Sequence, residues 1–241
     1  PGTMEVDVTE KANPRYAYYP GCSLECSAKE YDLSVRAVFA KLELELVEIE
    51  DWNCCGAVHA DVNKAEAGTT LPARNLALAE AQGFDTIVAP CSGCYNSLRR
   101  ASKRIAADKS VRQQVQDTLK DDLKLTTDVE VLHPLYILLS DMGLERIKQN
   151  IVNPLRDFKV GSYYGCMLTR PKDMFDSAER PTGLDRLARI LGAEAIDFPM
   201  KAKCCGGALA LSHSGVTAGL SGDVLLSAEQ AGADAVMLAC P

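Results

Sequence analysis

The chain has 241 residues, of which 47% are hydrophobic and 24% charged. This is ordinary globular composition, long enough for one large α/β domain or two half-size ones, and it argues against disorder of the bulk. The net charge of -7 comes without any basic stripe, which argues against a nucleic-acid binder, and no run approaches the ~20 apolar residues that cross a bilayer.

In chain order, residues 1–14 are expected to form a flexible N-terminal segment, with Pro1-Gly2-Thr3 before Met4 reading as an expression remnant. No basic stretch followed by an apolar one marks a signal peptide. Residues 16–19 form a short aromatic strand. Residues 31–42 have helical apolar spacing through Leu33, Val35, Val38, Phe39 and Leu42. Residues 44–49 largely alternate apolar and acidic, as a partly exposed strand does. An Ala/Leu-rich helix over 65–82 is closed by Gly83, and a β-branched strand at 86–89 leads into Cys91. A long polar helix is predicted over 95–123. A strand at 129–132 and a helix at 135–149 bridge to a second series: strand 160–164, helix 184–191, strand 195–198, helix 209–231 and strand 235–239.

Ten cysteines stand out, including the adjacent pairs Cys54-Cys55 and Cys204-Cys205. Neighbouring Cα atoms are about 3.8 Å apart, short of the roughly 4.4–6.8 Å that disulfides prefer, so metal ligation or thiol chemistry is the better expectation. The cysteines fall into two series. Cys22, Cys54-Cys55-Gly56 and Cys91-Ser92-Gly93-Cys94 form the first; Cys166, Cys204-Cys205-Gly206-Gly207 and Cys240-Pro241 form the second. The intervals are 32 and 37 residues, then 38 and 36. Flanking residues repeat as well: Tyr18-Tyr19-Pro20-Gly21-Cys22 matches Tyr163-Tyr164-Gly165-Cys166, and Ile87-Val88-Ala89-Pro90-Cys91 matches Val236-Met237-Leu238-Ala239-Cys240.

A duplication with a boundary near residue 127 accounts for this order. It predicts two tandem, similar Rossmann-like βαβαβ(α) halves of class α/β, a first domain over 15–127 and a second over 128–241. By the same register a further cysteine belongs at position 243, so the second set is one short. Cys26 has no counterpart and reads as an ordinary thiol.

Each cysteine motif follows the C-terminal end of a predicted strand, the edge where parallel α/β sheets bind ligands. Five sulfurs of the first half can therefore converge. Zinc needs four ligands, and so does a cubane [4Fe–4S] cluster; a fifth cysteine, with two adjacent, suits an open or enlarged iron–sulfur cluster better. A zinc-stapled scaffold and thiol exchange remain the competing assignments.

The pattern Cys-x(31–38)-Cys-Cys-Gly-x(33–38)-Cys-x-x-Cys, complete once and repeated without its last cysteine, resembles the CCG-domain family, whose best-known member is the B subunit of heterodisulfide reductase. The likeness spans residues 16–241. It implies one noncubane [4Fe–4S] cluster per half, held by Cys22, Cys54, Cys55, Cys91 and Cys94 in the first and by Cys166, Cys204, Cys205 and Cys240 in the second. It further implies an oxidoreductase acting on a small-molecule disulfide as one subunit of a larger complex, with one thiol fragment going to each cluster. Similar subunits in succinate and fumarate reductases and in sulfur-oxidising complexes make a flavin- or quinone-linked electron relay the alternative. The chain lacks a Cys-x-x-Cys-x-x-Cys motif, so electrons are expected from a ferredoxin-like [4Fe–4S] subunit and a flavoprotein subunit. The expected location is the cytoplasm, or the periphery of a membrane complex. No nucleotide-binding motif is present.

The remaining candidates are few. His213 is the candidate proton donor to a product thiolate, against a surface or capping role; the same choice applies to His59. His133, ahead of Pro134 at a strand end, is expected to be structural. Lys201 and Lys203 precede the second Cys-Cys-Gly and either offset negative charge there or lie on a solvated loop. Trp52 and Asn53 stand where the second half has Ala202 and Lys203, so the two pockets differ.

Overall fold

A computed structural model describes residues 14–57, 67–119, 123–125, 129–172 and 175–241; His59 lies outside the described residues. These residues divide into two compact units. One runs to Ile137 and includes Cys240 and Pro241; the other spans Leu138–Ala239.

The first unit is built on a four-stranded parallel sheet of β1 (Arg15–Tyr18), β2 (Glu45–Glu48), β3 (Thr86–Val88) and β4 (Glu130–Leu132), in the order β2-β1-β3-β4. Their register puts Glu48, Tyr18, Val88 and Leu132 in one row, so the strands end together. The connections are α1 (Gly21–Cys26) and α2 (Lys29–Lys41) after β1, α3 (Ala67–Ala81) before β3, and α4 (Ser92–Ala107) with α5 (Lys109–Leu119) after it. Helix α4 buries Cys94, Tyr95, Leu98, Ala101 and Ile105, a stripe at helical spacing. It packs on the alanines of α3: Ala73, Ala77, Ala101 and Ile105 share a core with Val115 of α5 and with Leu125. Small side chains at this crossing let the two helices approach closely.

The expected single helix over 95–123 is two helices. Asp108 is extended, and its carboxylate accepts from the Ser110 and Val111 backbone N–H groups and from the Ser110 hydroxyl, capping a new helix at Lys109. The segment over 135–149 is likewise broken into α6 (Pro134–Leu138) and α7 (Asp141–Asn150), with the Ser140 hydroxyl accepting from Gly143 N at 3.1 Å. The strand at 129–132 does not merely bridge the halves: as β4 it hydrogen-bonds onto β3 and completes the first sheet.

The second unit carries a three-stranded parallel sheet of β5 (Lys159–Tyr163), β6 (Glu194–Ile196) and β7 (Ala235–Leu238), in the order β6-β5-β7. Between them lie α8 (Gly165–Thr169), α9 (Gly183–Ile190) and α10 (Ser214–Gln230). The expected helix over 209–231 begins instead at Ser214, after a 3₁₀ turn at Gly207–Leu209. Helix α10 buries Val224 and Ala228 against Tyr163 and Phe198, while Val216, Leu225 and Leu226 are exposed. The chain is thus α/β with two parallel, Rossmann-like halves. No helix among the described residues is long and apolar enough to cross a membrane.

Candidate metal centre

Because the strands of the first sheet end in one row, the segments that follow them open at one edge. Cys22 lies in α1 after β1, Cys54 and Cys55 on the loop after β2, and Cys91 and Cys94 at the turn from β3 into α4. The Cys55 and Cys94 sulfurs are 3.3 Å apart. Side-chain hydrogen bonds join Cys54 to Cys55 and Cys91 to Cys94. Charge on Cys94, Cys55, Cys54 and Cys22 is felt at the one phenol of Tyr19, and Cys54 feels Cys55 and Cys22 in turn. Cys55, Cys91 and Cys94 are buried; Cys22 and Cys54 are exposed, which leaves one side of the group open. All ten cysteines are free thiols.

The structure brings a further donor here. The Cys91 thiol is held well below the usual thiol range, first by a hydrogen bond from Cys240 and then by one from Cys94, against the opposing cost of burial. Cys240 belongs to the compact unit of the first set. The repeat register assigned it to the second set, whereas its sulfur hydrogen-bonds Cys91. Donors from Cys54 and Cys94 hold Cys55 down in the same way, while Cys94, sharing its proton with Cys55 and Cys91 and deeply buried, is pushed up.

The loop that carries Cys54 and Cys55 is fastened from three sides. Asn75, fully buried on α3, accepts from Asn53 N and donates to Asn53 O, both at 2.9 Å. Arg74 donates to the Asp51 carbonyl at 2.6 Å and pairs with the Asp51 carboxylate. Ser97 on α4 donates to Cys55 O at 2.8 Å. Trp52 packs edge-on against Tyr19, with ring centroids 5.3 Å apart, and donates its indole N–H to Glu48. Gly21 is essential at its position: its φ is +73°, and a Cβ there would lie 2.8 Å from the Cys94 sulfur.

The second unit gathers Cys166, Cys204 and Cys205. Burial and the neighbouring Cys204 push the Cys166 thiol up, and the two share a hydrogen bond. The Gly206 N–H donates to the Cys204 sulfur at 3.3 Å, as Gly56 N–H does to Cys54. Ser221 on α10 donates to Cys205 O at 3.0 Å.

The other candidates separate. His213 is exposed on the residue before α10, with its Nδ1 3.0 Å from the Ser212 hydroxyl. Lys201 is not on a solvated loop: its ammonium lies 2.7 Å from Asp197 and 3.3 Å from buried Asp185, which also accepts from the Tyr164 hydroxyl. Lys203 is exposed, and so is Cys26. His133 is buried and structural. Its Nδ1 accepts from Leu135 N, so Nε2 carries the proton and donates to Pro90 O at 2.8 Å.

Among the described residues, no three His, Cys, Asp or Glu side chains close around a single metal ion. What the fold assembles is an all-sulfur set drawn from three loops of one sheet edge in the first unit, and a smaller set of Cys166, Cys204 and Cys205 in the second. A profile of the cysteine-rich CCG domain matches residues 16–99 and 160–241. This chain belongs to the CCG cysteine-rich domain family. Within the family it is similar to the 8-methylmenaquinol:fumarate reductase membrane anchor subunit of Wolinella succinogenes, 31% identical over 229 residues, covering 94% of this chain and 79% of that protein. It is also similar to the B subunit of the ferredoxin/F(420)H(2)-dependent CoB-CoM heterodisulfide reductase of Methanosarcina acetivorans, 29% identical over 234 residues, covering 94% of this chain and 77% of that one. The corresponding subunit of the Methanosarcina mazei ferredoxin:CoB-CoM heterodisulfide reductase is 28% identical at the same coverage. A crystal structure of a hypothetical protein from Helicobacter pylori shares the fold with a TM-score of 0.70 at 14% identity, over 95% of this chain and 42% of that one. The two CCG matches include Cys22 to Cys94 in the first half and Cys166 to Cys240 in the second.

Proposed function

We propose that this CCG protein is the iron–sulfur redox subunit of a heterodisulfide-reductase-like complex and reduces a small-molecule disulfide. One cluster is held by Cys22, Cys54, Cys55, Cys91 and Cys94. A second is held by Cys166, Cys204 and Cys205; Cys240 is the donor that the repeat assigns to it and that hydrogen-bonds Cys91 in the fold described above. The observation that carries this reading is the gathering of five thiols from three separate loops at one sheet edge. Five soft donors, two of them adjacent, fit a polynuclear iron–sulfur group of the noncubane [4Fe–4S] kind.

Such a cluster, when bound, supplies electrons singly to a sulfur–sulfur bond. The balance is one disulfide, two electrons and two protons giving two thiols. The chain's own part is to hold and shield. Cys55, Cys91 and Cys94 are buried, while exposed Cys22 and Cys54 leave the side from which a substrate approaches. The N–H groups of Gly56 and Gly206 donate to the first sulfur of each adjacent pair and help fix where it stands. His213, on the exposed turn after the second Cys-Cys-Gly, is the candidate proton donor to a product thiolate. Electrons come from a ferredoxin-like [4Fe–4S] subunit and a flavoprotein subunit, in the cytoplasm or at the periphery of a membrane complex.

Anaerobic purification with iron and sulfide assays, followed by disulfide-dependent oxidation of a reduced viologen dye, tests the reading. Two filled sets give about eight irons per chain. Four or fewer irons with all nine cysteines intact overturn the two-cluster version, and a colourless zinc protein overturns the iron reading. A second reading, electron relay without disulfide chemistry, is favoured by the 31% identity to a fumarate reductase subunit. Cluster-loaded protein that oxidises no dye with any disulfide supports that alternative.

A further inference from the structure

The carbonyl immediately before a cysteine motif recurs as a hydrogen-bond acceptor from a buried ring. Tyr19 donates to Asn53 O, ahead of Cys54, at 2.7 Å. His133 donates to Pro90 O, ahead of Cys91, at 2.8 Å. Tyr163 donates to Lys203 O, ahead of Cys204, at 2.7 Å. The three rings are 0%, 1% and 8% exposed. Tyr19 and Tyr163 each stand three residues before the first cysteine of their own series, in Tyr19-Pro20-Gly21-Cys22 and Tyr163-Tyr164-Gly165-Cys166.

We propose that Tyr19, His133 and Tyr163 are positioning residues that set where the thiolates of the two cysteine sets stand, by anchoring the peptide that leads into each motif. The proposal rests on the cluster reading above and deepens it. The peptide unit is planar, so a pinned carbonyl fixes where the next residue's N and Cα stand and leaves its side chain only the rotations about φ and χ1. The two tyrosines do more than brace a loop. Each belongs to the segment that carries the first cysteine, so its hydroxyl ties the first-cysteine turn directly to the Cys-Cys-Gly loop. The glycine between tyrosine and cysteine closes against the same ring: a Cβ on Gly21 would lie 3.4 Å from Tyr19 Cε1, and one on Gly165 would lie 3.2 Å from the Tyr163 hydroxyl. In each unit one phenol thus joins two ligand-bearing segments right beside the cysteines, in addition to the backbone bonds Ile49 N to Tyr18 O and Tyr164 N to Lys201 O.

The three anchors are unequally supported. Asn53 O also accepts from Asn75 Nδ2 at 2.9 Å, and Pro90 O from the Tyr31 hydroxyl at a longer 3.4 Å. Among the described residues, Tyr163 is the one side-chain donor to Lys203 O. The expected order of effect is therefore Tyr163 first, His133 next and Tyr19 last.

The test uses the full chain with Tyr163→Phe, Tyr19→Phe, His133→Leu and His133→Gln, the last retaining a side-chain N–H donor. Two readouts are taken. In metal-free reduced protein, iodoacetamide labelling with peptide mapping gives the alkylation rate of each cysteine. In anaerobically loaded protein, the electron paramagnetic resonance spectrum and reduction potential report on the set. Tyr163→Phe is expected to change the Cys204 labelling rate by about fivefold, the factor corresponding to one hydrogen bond of ordinary net strength, and to shift the spectrum. Tyr19→Phe has a smaller effect on Cys54, exposed Cys26 serves as the unchanged reference, and His133→Gln restores what His133→Leu loses at Cys91. Unchanged labelling and spectra in Tyr163→Phe overturn the proposal. Wild-type protein that takes up neither iron nor sulfide overturns the cluster reading instead, while the labelling rates still decide the positioning role.

Discussion

Helix α4 supplies both a sulfur and a clamp to the same point: Cys94 in its first turn lies 3.3 Å from the Cys55 sulfur, and Ser97, one turn further, donates to the Cys55 carbonyl at 2.8 Å. Residues three apart on a helix share a face, so one element grips Cys55 by side chain and backbone together. Replacing Cys94 by serine is expected to lower the iron content of the loaded protein, whereas replacing exposed Cys26 by serine leaves it unchanged; iron and sulfide analysis decides. Ser97→Ala removes one hydrogen bond and is expected to cost about 1 kcal/mol in a urea titration.

Gly21 and Gly83 both have positive φ, +73° and +83°, but only Gly21 has a neighbour in the way. Each alanine variant takes on roughly 1–2 kcal/mol of left-handed backbone strain. Gly83→Ala meets nothing within 4 Å, so it loses that and no more. Gly21→Ala also drives a Cβ to 2.8 Å from the Cys94 sulfur. It is expected to be the less stable of the two by chemical denaturation and to lose cluster iron that Gly83→Ala keeps.

Asn75 is fully buried and holds both the N–H and the C=O of Asn53. Asn75→Ala leaves a backbone donor without its partner, and the expected destabilisation is about 2–4 kcal/mol. Asn75→Asp keeps the acceptor for Asn53 N but turns a buried carboxylate oxygen toward Asn53 O, so it is expected to be at least as destabilised as Asn75→Ala. Urea midpoints of the three proteins, measured side by side, check this order.

Glu130 begins β4 as an exposed residue, and partial desolvation raises its carboxyl above the usual value, partly offset by Arg99, with Asp85 adding to the rise. A carboxyl with a raised folded-state pKa favours folding when protonated. Its contribution is fully present below the unfolded value of 4.5 and is lost as pH rises through the folded value. Glu130→Gln is therefore expected to have a higher melting temperature than wild type at pH 7, with the gap narrowing toward pH 4.5. Thermal melts at both pH values check the sign.

Much of the fold was legible along the chain. The strands at 16–19, 86–89 and 235–239 fall within a residue or two of the observed ones, because short apolar segments bounded by turns report burial directly. The helix breaks were not legible. At Asp108 and Ser140 a short polar side chain chooses between a surface position and a cap, and apolar spacing continues across both outcomes. His213, weighed in the sequence between a proton donor and a surface or capping residue, stands exposed just before α10, while the later start of that helix was not legible. The ring anchors left one readable trace, the tyrosine three residues before the first cysteine in each series, visible only as a repeat without a role.

The amino-acid sequence alone determined the duplicated cysteine series, the α/β alternation and the placement of each motif after a strand, because these depend on local periodicity and on spacing. Only the tertiary structure decided that Glu48, Tyr18, Val88 and Leu132 end in one row, that β4 completes the first sheet, that Cys240 hydrogen-bonds Cys91, and that Tyr19, His133 and Tyr163 hold the carbonyls ahead of the cysteines. Those partners are separated by 34 residues or more in the ring anchors. Hydrogen bonds of that span act only after the sheet has brought the loops to a common edge, so no pattern read along the chain encodes which carbonyl meets which ring.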